Sequence, residues 1–131
     1  MMQIEIAFVP GAPRIAYDIS GTGDVVLFLH GIGGNRTNWR DQLPAFAERF
    51  QAVAWDARGY GQSDDYDGPL HFGDFALDAV RLLDHLNVEK AHIVGLSMGG
   101  AYCAQLCSAI FLPRGHPDAL GHAFEFCRTN S

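Results

Sequence analysis

Ala91-His92-Ile93-Val94-Gly95-Leu96-Ser97-Met98-Gly99-Gly100 begins as a short apolar run of strand type and ends in small residues. These lead into Ala101-Tyr102-Cys103-Ala104-Gln105-Leu106, a good helix former. Between the two lies Gly95-x-Ser97-x-Gly99, the spacing of a nucleophile elbow. A serine that must project above a sheet edge needs the chain to turn sharply from strand to helix at that residue. The turn strains the backbone and crowds neighbouring side chains, and Gly95 and Gly99 relieve the crowding. The helix that follows points free N–H groups at the reacting centre, where negative charge develops. Taken alone, the five residues also fit a glycine-rich turn with a passive serine. The strand before them and the helix after them favour the nucleophile.

Upstream, Phe72, Phe75, Ala76, Ala79, Val80, Leu83 and Leu86 form the apolar stripe of a helix, ended by Asn87-Val88-Glu89-Lys90. Before it, Asp56-Ala57-Arg58-Gly59-Tyr60-Gly61-Gln62-Ser63-Asp64 reads as a loop, with Asp56 and Arg58 as a turn-stabilising pair. Gln51–Trp55 is a short buried strand. Trp39, Leu43, Phe46 and Phe50 predict a helix that Pro44 limits or kinks. His30-Gly31-Ile32-Gly33-Gly34-Asn35 is a glycine-rich loop after Val25-Val26-Leu27-Phe28-Leu29, whose continuous apolar character marks a strand buried on both faces. At the start, Gln3–Val9, with Ile4, Ile6 and Phe8 aligned, and Pro13–Ser20, with Ile15, Tyr17 and Ile19 aligned, predict a hairpin. The order is a hairpin, then strand–helix–strand–helix–strand–helix, hence a mostly parallel sheet with helices on both faces.

Downstream of Leu106 the pattern degrades. Pro113-Arg114-Gly115-His116-Pro117 breaks any helix, Asp118–Arg128 predicts one short amphipathic helix, and no further buried strand is visible. The edge of the elbow strand would then lie open, inviting self-association.

With 48% hydrophobic and 18% charged residues, the 131-residue chain suits a single globular domain. A net charge of −6 argues against a nucleic-acid partner and offers no basic patch to a membrane surface. No apolar run approaches the ~18 residues of a membrane span, and no signal peptide is visible at Met1–Glu5. Three cysteines without framework spacing fit a reducing cytoplasm. Cys103, Cys107 and Cys127 with His116 or His122 lack the tight ligand pairs of a zinc site, so no metal is expected. Gly31-x-Gly33 after a strand, with Asp56 ending the next, is the start of a dinucleotide fingerprint. Arg36 stands where its third glycine belongs, and Gly95–Gly100 lacks a phosphate-loop lysine.

Three signatures in order, His30-Gly31-Ile32-Gly33, Asp56-Ala57-Arg58-Gly59-Tyr60-Gly61-Gln62-Ser63 and Gly95-Leu96-Ser97-Met98-Gly99-Gly100, resemble the amino-terminal half of an α/β-hydrolase over residues 1–107. Within that family the chain is most similar to esterases and enol-lactonases. The resemblance implies a truncated α/β-hydrolase fold and a serine hydrolase acting on a small ester, lactone or related acyl substrate without a cofactor. It makes Ser97 the nucleophile and the backbone N–H groups of Ile32 and Met98 the oxyanion hole. His30, Gly31, Gly33, Gly95 and Gly99 shape the site. The family carries an acid and a histidine well downstream of the serine, whereas residues 108–131 form a tail unlike the family. Asp118 and His122 follow Ser97 in the right order but lie four residues apart on a predicted surface helix, which disfavours them as a relay. The expectation is a shortened chain, weakly active or inactive as it stands. The alternative is a non-catalytic half-domain that needs a partner or a longer chain.

Overall fold

The computed structural model describes residues 3–89 and 91–96, and the backbone of 126–130. Among these residues six strands form one sheet: β1 (Glu5–Val9), β2 (Ile15–Ser20), β3 (Val25–Leu29), β4 (Gln51–Trp55), β5 (Ala91–Leu96) and β6 (Phe126–Asn130). Their spatial order is β1-β2-β4-β3-β5-β6. β1 with β2 and β2 with β4 are antiparallel. β3 is parallel to both β4 and β5, and β5 is parallel to β6. The expected hairpin and parallel strands are therefore present, with the strand of the first glycine-rich loop beside that of the elbow.

Pairing register sorts the side chains into two layers, because successive strand residues point to opposite faces. On one face Val26, Phe28, Ala52 and Ala54 meet Trp39, Leu43 and Ala47. The covering residues come from a 3-10 turn (Arg36–Trp39) and helix α1 (Gln42–Ala47). On the other face Tyr17, Leu27, Leu29, Val53, Trp55 and Ile93 join Phe75, Ala79, Leu82 and Leu83 of helix α2 (Phe72–His85). Two helices on opposite faces follow from the two reversals of direction along the sheet, since each parallel crossover turns right-handed. The small Ala52 and Ala54 let the first helical layer sit close to the sheet, where Phe28 stacks on Trp39 with centroids 5.0 Å apart.

Three expectations are corrected. The helix spanning Trp39 to Phe50 is two pieces, and Pro44 neither ends nor kinks α1. It occupies the third position of the helix, where its missing N–H removes no helical bond. In β1, the aligned Ile4, Ile6 and Phe8 do not face the main core: Ile6 is 48% exposed, while Ala7 and Val9 turn inward against the α2 layer. Periodicity gives the alternation of a strand but not which face has a partner. The third correction concerns the tail, where Phe126–Asn130 forms β6 rather than the end of a helix. The edge of β5 offers a row of backbone groups, and pairing with it from His92↔Phe126 to Leu96↔Asn130 supplies order that the tail's own pattern does not encode. β5 is thus covered on that side, and among the described residues β6 is the edge. The rest of the predicted tail helix, 118–125, lies outside the described residues.

Candidate active site

β3, β4 and β5 run parallel, so the loops that follow them emerge at one end of the sheet. Ligands of open α/β sheets are held at the carboxyl ends of the strands. β3 and β5 are in register with Leu29 opposite Gly95. His30 therefore opens its loop beside Leu96, and Ser97 is the next residue of the chain. Gly95 is buried and Leu96 exposed. Ser97, Met98 and Gly99 lie outside the described residues, as do Cys103, Cys107, His116, Asp118 and His122. Of the expected site residues, the structure places His30, Gly31, Ile32, Gly33 and Gly95.

His30 is fully buried, and both of its ring nitrogens are engaged. The Ala57 amide donates to Nε2 at 3.0 Å. That contact requires an unprotonated Nε2, so Nδ1 carries the hydrogen and donates to the Gly31 carbonyl at 2.8 Å. Tyr60 lies against the ring with centroids 5.0 Å apart. Burial lowers the imidazole pKa below its ordinary value of 6.5, with the Gly31 hydrogen bond and the charge of Asp56 opposing. A neutral, doubly occupied imidazole joins two loops and has no nitrogen left for proton transfer.

Gly31–Gly34 is a β-turn closed by Gly34 N–H donating to the Gly31 carbonyl at 3.0 Å. Gly33 takes the third position with φ +78°, which a type II turn demands. The turn lifts Ile32 to its tip, where the residue is 78% exposed. The Ile32 amide donates to no acceptor among the described residues. Beyond the turn, Asn35 caps the 3-10 turn, accepting from the Thr37 amide at 2.9 Å while its own amide donates to Asn38 Oδ1 at 2.8 Å.

Asp56, at the end of β4, is fully buried and ties this loop to its neighbour. Its carboxylate accepts from the Arg36 amide at 2.7 Å, Arg36 Nη1 at 2.8 Å and the Gln62 amide at 2.8 Å. The Arg36 Nε donates to buried Asp18 of β2 at 2.9 Å. Burial works against the Arg36 charge, and the hydrogen bonds to Asp18 and Asp56 outweigh it, so the guanidinium pKa is raised. Ser63 completes the closure: its hydroxyl donates to the Asp56 carbonyl at 2.6 Å and accepts from the Ala16 amide at 2.8 Å. Gly61 is required here, because a Cβ at this position would come within 2.3 Å of the Asp56 carboxylate.

Asp56 and Arg58 therefore do not pair with each other as the sequence suggested. Arg58 reaches instead to buried Asp78 of α2, with contacts of 2.6 and 2.8 Å. Arg81 shares that carboxylate at 2.9 Å and also donates to the carbonyls of Pro10 and Pro13. Sequence reading missed Asp18, Arg36 and Asp78. The available signals are weak: an aspartate on the alternate face of a strand, an arginine that breaks a glycine pattern, and an aspartate beside an apolar helical stripe. None of them names its partner.

Among the described residues no group of three His, Cys, Asp or Glu is placed to hold a metal ion. No helix among them is long and apolar enough to cross a membrane.

The family described as the alpha/beta hydrolase fold matches residues 24–115. The chain is 35% identical over 121 residues to the dihydrolipoyllysine-residue acetyltransferase component of the acetoin cleaving system of Cupriavidus necator, covering 85% of this chain and 32% of that protein. It is 33% identical over 75 residues to 3-oxoadipate enol-lactonase 2 of Acinetobacter baylyi, covering 57% of this chain and 28% of that one. Among solved structures, the 2-hydroxy-6-oxo-6-phenylhexa-2,4-dienoate hydrolase of Rhodococcus sp. strain RHA1 superposes with a TM-score of 0.81 at 30% identity, covering 98% of this chain and 46% of that one. The chain spans about a third of the length of the curated relatives it matches. Sheet order, the loops at one strand end and the match over residues 24–115 agree, and the chain belongs to the α/β-hydrolase family.

Proposed function

We propose that this chain carries the nucleophile half of a serine hydrolase site acting on a small ester, lactone or related acyl group. The observation that carries the reading is the register of β3 with β5, Leu29 opposite Gly95, which puts the exposed Ile32 turn at the same sheet end as the start of the elbow. In this reading the Ser97 hydroxyl oxygen attacks the acyl carbon, and the Ile32 and Met98 amides hold the oxyanion. The leaving alcohol departs with a proton, and water then cleaves the Ser97 ester. Loss of one such donor typically costs ~3 kcal/mol of transition-state stabilisation. The serine needs a base to take its proton. His30 does not serve, since both ring nitrogens are committed to Gly31 and Ala57. With Asp118 and His122 disfavoured as a relay by their spacing, hydrolysis by this chain is expected to be near background. One relative is named a lactonase and another a dienoate hydrolase, and both names suit hydrolytic chemistry.

The second reading is a non-catalytic half-domain completed by a partner or a longer chain, which the coverage of about a third of the curated relatives favours. An open edge invites self-association, and among the described residues β6 carries that edge on the side beyond β5. The dinucleotide reading loses its ribose ligand, because Asp56 is buried under Arg36 and Gln62. The cysteine usage supports a cytoplasmic setting.

The test is reaction with a fluorophosphonate probe, together with hydrolysis of a short-chain aryl ester, by the chain and by its Ser97→Ala variant. Slow labelling that is confined to Ser97 and disappears in Ser97→Ala, with ester turnover near background, is expected. Labelling that persists in Ser97→Ala overturns the nucleophile assignment. Robust ester turnover that depends on Ser97 overturns the expectation of low activity and requires a base within this chain.

A further inference from the structure

We propose that Arg36 is a positioning residue, which sets the Ile32 amide by clamping the end of its loop to two buried carboxylates. The inference rests on the reading of Ile32 as an oxyanion donor and adds what fixes that donor in place. Among the described residues the Ile32 turn has one internal backbone bond, from Gly34 to Gly31, and nothing lies within 4 Å of a Cβ placed at Gly33. Local structure therefore does little to fix the direction of the Ile32 N–H. Order enters from the two ends. At the start, His30 is held by the Ala57 amide. At the end, Arg36 is held three times: its amide and Nη1 on Asp56, and its Nε on Asp18. Asp18 belongs to β2 and Asp56 directly follows β4, its neighbouring strand, so the anchor is the sheet itself.

The chemistry of the side chain fits this task. A planar guanidinium can meet two carboxylates at once through different nitrogens, whereas an ammonium is a point charge. Asp18 and Asp56 are both buried, so this is not a solvated surface pair that a water shell could replace. The arginine that breaks the dinucleotide pattern is thus the residue that ties the turn down. An oxyanion donor stabilises developing charge only when it is fixed before the reaction begins.

The test uses Arg36→Lys, which keeps a positive charge between the carboxylates but cannot reproduce the fork. Two measurements are made on the full chain: hydrogen exchange of the 30–36 segment, and the rate of fluorophosphonate labelling at Ser97. The variant is expected to speed exchange there and slow labelling, each by roughly tenfold or more. Arg81→Lys, in the separate Arg58–Asp78–Arg81 cluster, is expected to loosen the Pro10–Pro13 turn while labelling stays within about twofold. Unchanged exchange at 30–36 in Arg36→Lys overturns the clamp. Faster exchange with unchanged labelling, or equal slowing by Arg81→Lys, overturns the positioning role and leaves Ser97 as the nucleophile. No labelling of Ser97 in the unaltered chain overturns the nucleophile reading, and the positioning role with it. If Arg36→Lys fails to fold, Asp18→Ala removes one anchor, keeps the Asp56 contacts and is judged by the same two measurements.

Discussion

The loop after β3 and the loop after β4 lie at the same end of the sheet and are built on opposite principles. In the second, every polar group named above has a partner: Asp56 takes three donors, Ser63 bridges to β2, and Asp64 exchanges backbone bonds with Arg14 and Gly59. In the first, the turn at Ile32 and Gly33 projects outward with an apolar side chain in solvent and an amide left without an acceptor among the described residues. An exposed isoleucine gains little by staying there, which suits the proposed role of its amide as an oxyanion donor. The comparison teaches that the hydrogen bonds of one loop hold the other in place, so that the presented loop need not satisfy itself.

The contrast breaks most sharply at Asp56. Asp56→Ala leaves Arg36 buried with one carboxylate fewer and strips the Gln62 amide, and is expected to cost about 3–5 kcal/mol in urea unfolding. Ile32→Ala, at the exposed tip of the other loop, should change stability by no more than about 0.5 kcal/mol. Comparable losses in the two variants would mean that the loops are not divided into a holding and a presenting one.

The glycines sharpen the comparison at an intermediate scale. Gly61 and Gly33 have φ of +50° and +78°, so an alanine is strained at both. A methyl group at Gly61 also meets the Asp56 carboxylate at 2.3 Å, whereas at Gly33 it meets nothing within 4 Å among the described residues. Gly61→Ala is expected to cost roughly 2–4 kcal/mol and Gly33→Ala only about 1 kcal/mol by the same measurement. Equal costs would show that backbone strain alone, and not the packed carboxylate, governs the second loop.

The smallest effect belongs to the histidine that joins the loops. Its folded pKa lies below the ordinary 6.5, so the native state favours the neutral ring and the unfolded chain takes up the proton first. The His30 contribution is present in full above that ordinary value. It is lost as pH falls through about 6.5 toward the folded pKa, below which no further loss arises from this group. Urea midpoints measured from about pH 8 to about pH 5 should decline with a component that His30→Asn removes. A decline of the same size in both proteins would assign it to other groups.

The sequence by itself determined the hairpin, the buried strands, α2 and the order of elements through β5. Each of these is written in local periodicity: Val25–Leu29 is apolar throughout, and the stripe from Phe75 to Leu83 recurs at helical spacing. It also singled out His30 as a structural residue at a strand end. Only the tertiary structure decided which side of β1 faces the core, that Phe126–Asn130 pairs with β5, and that Asp56 and Arg58 part company for Arg36 and Asp78. All three depend on groups distant in sequence. A strand face is buried only if another element covers it, an edge recruits a strand through backbone groups common to every residue, and a carboxylate pairs with whichever cation the folded chain brings within reach.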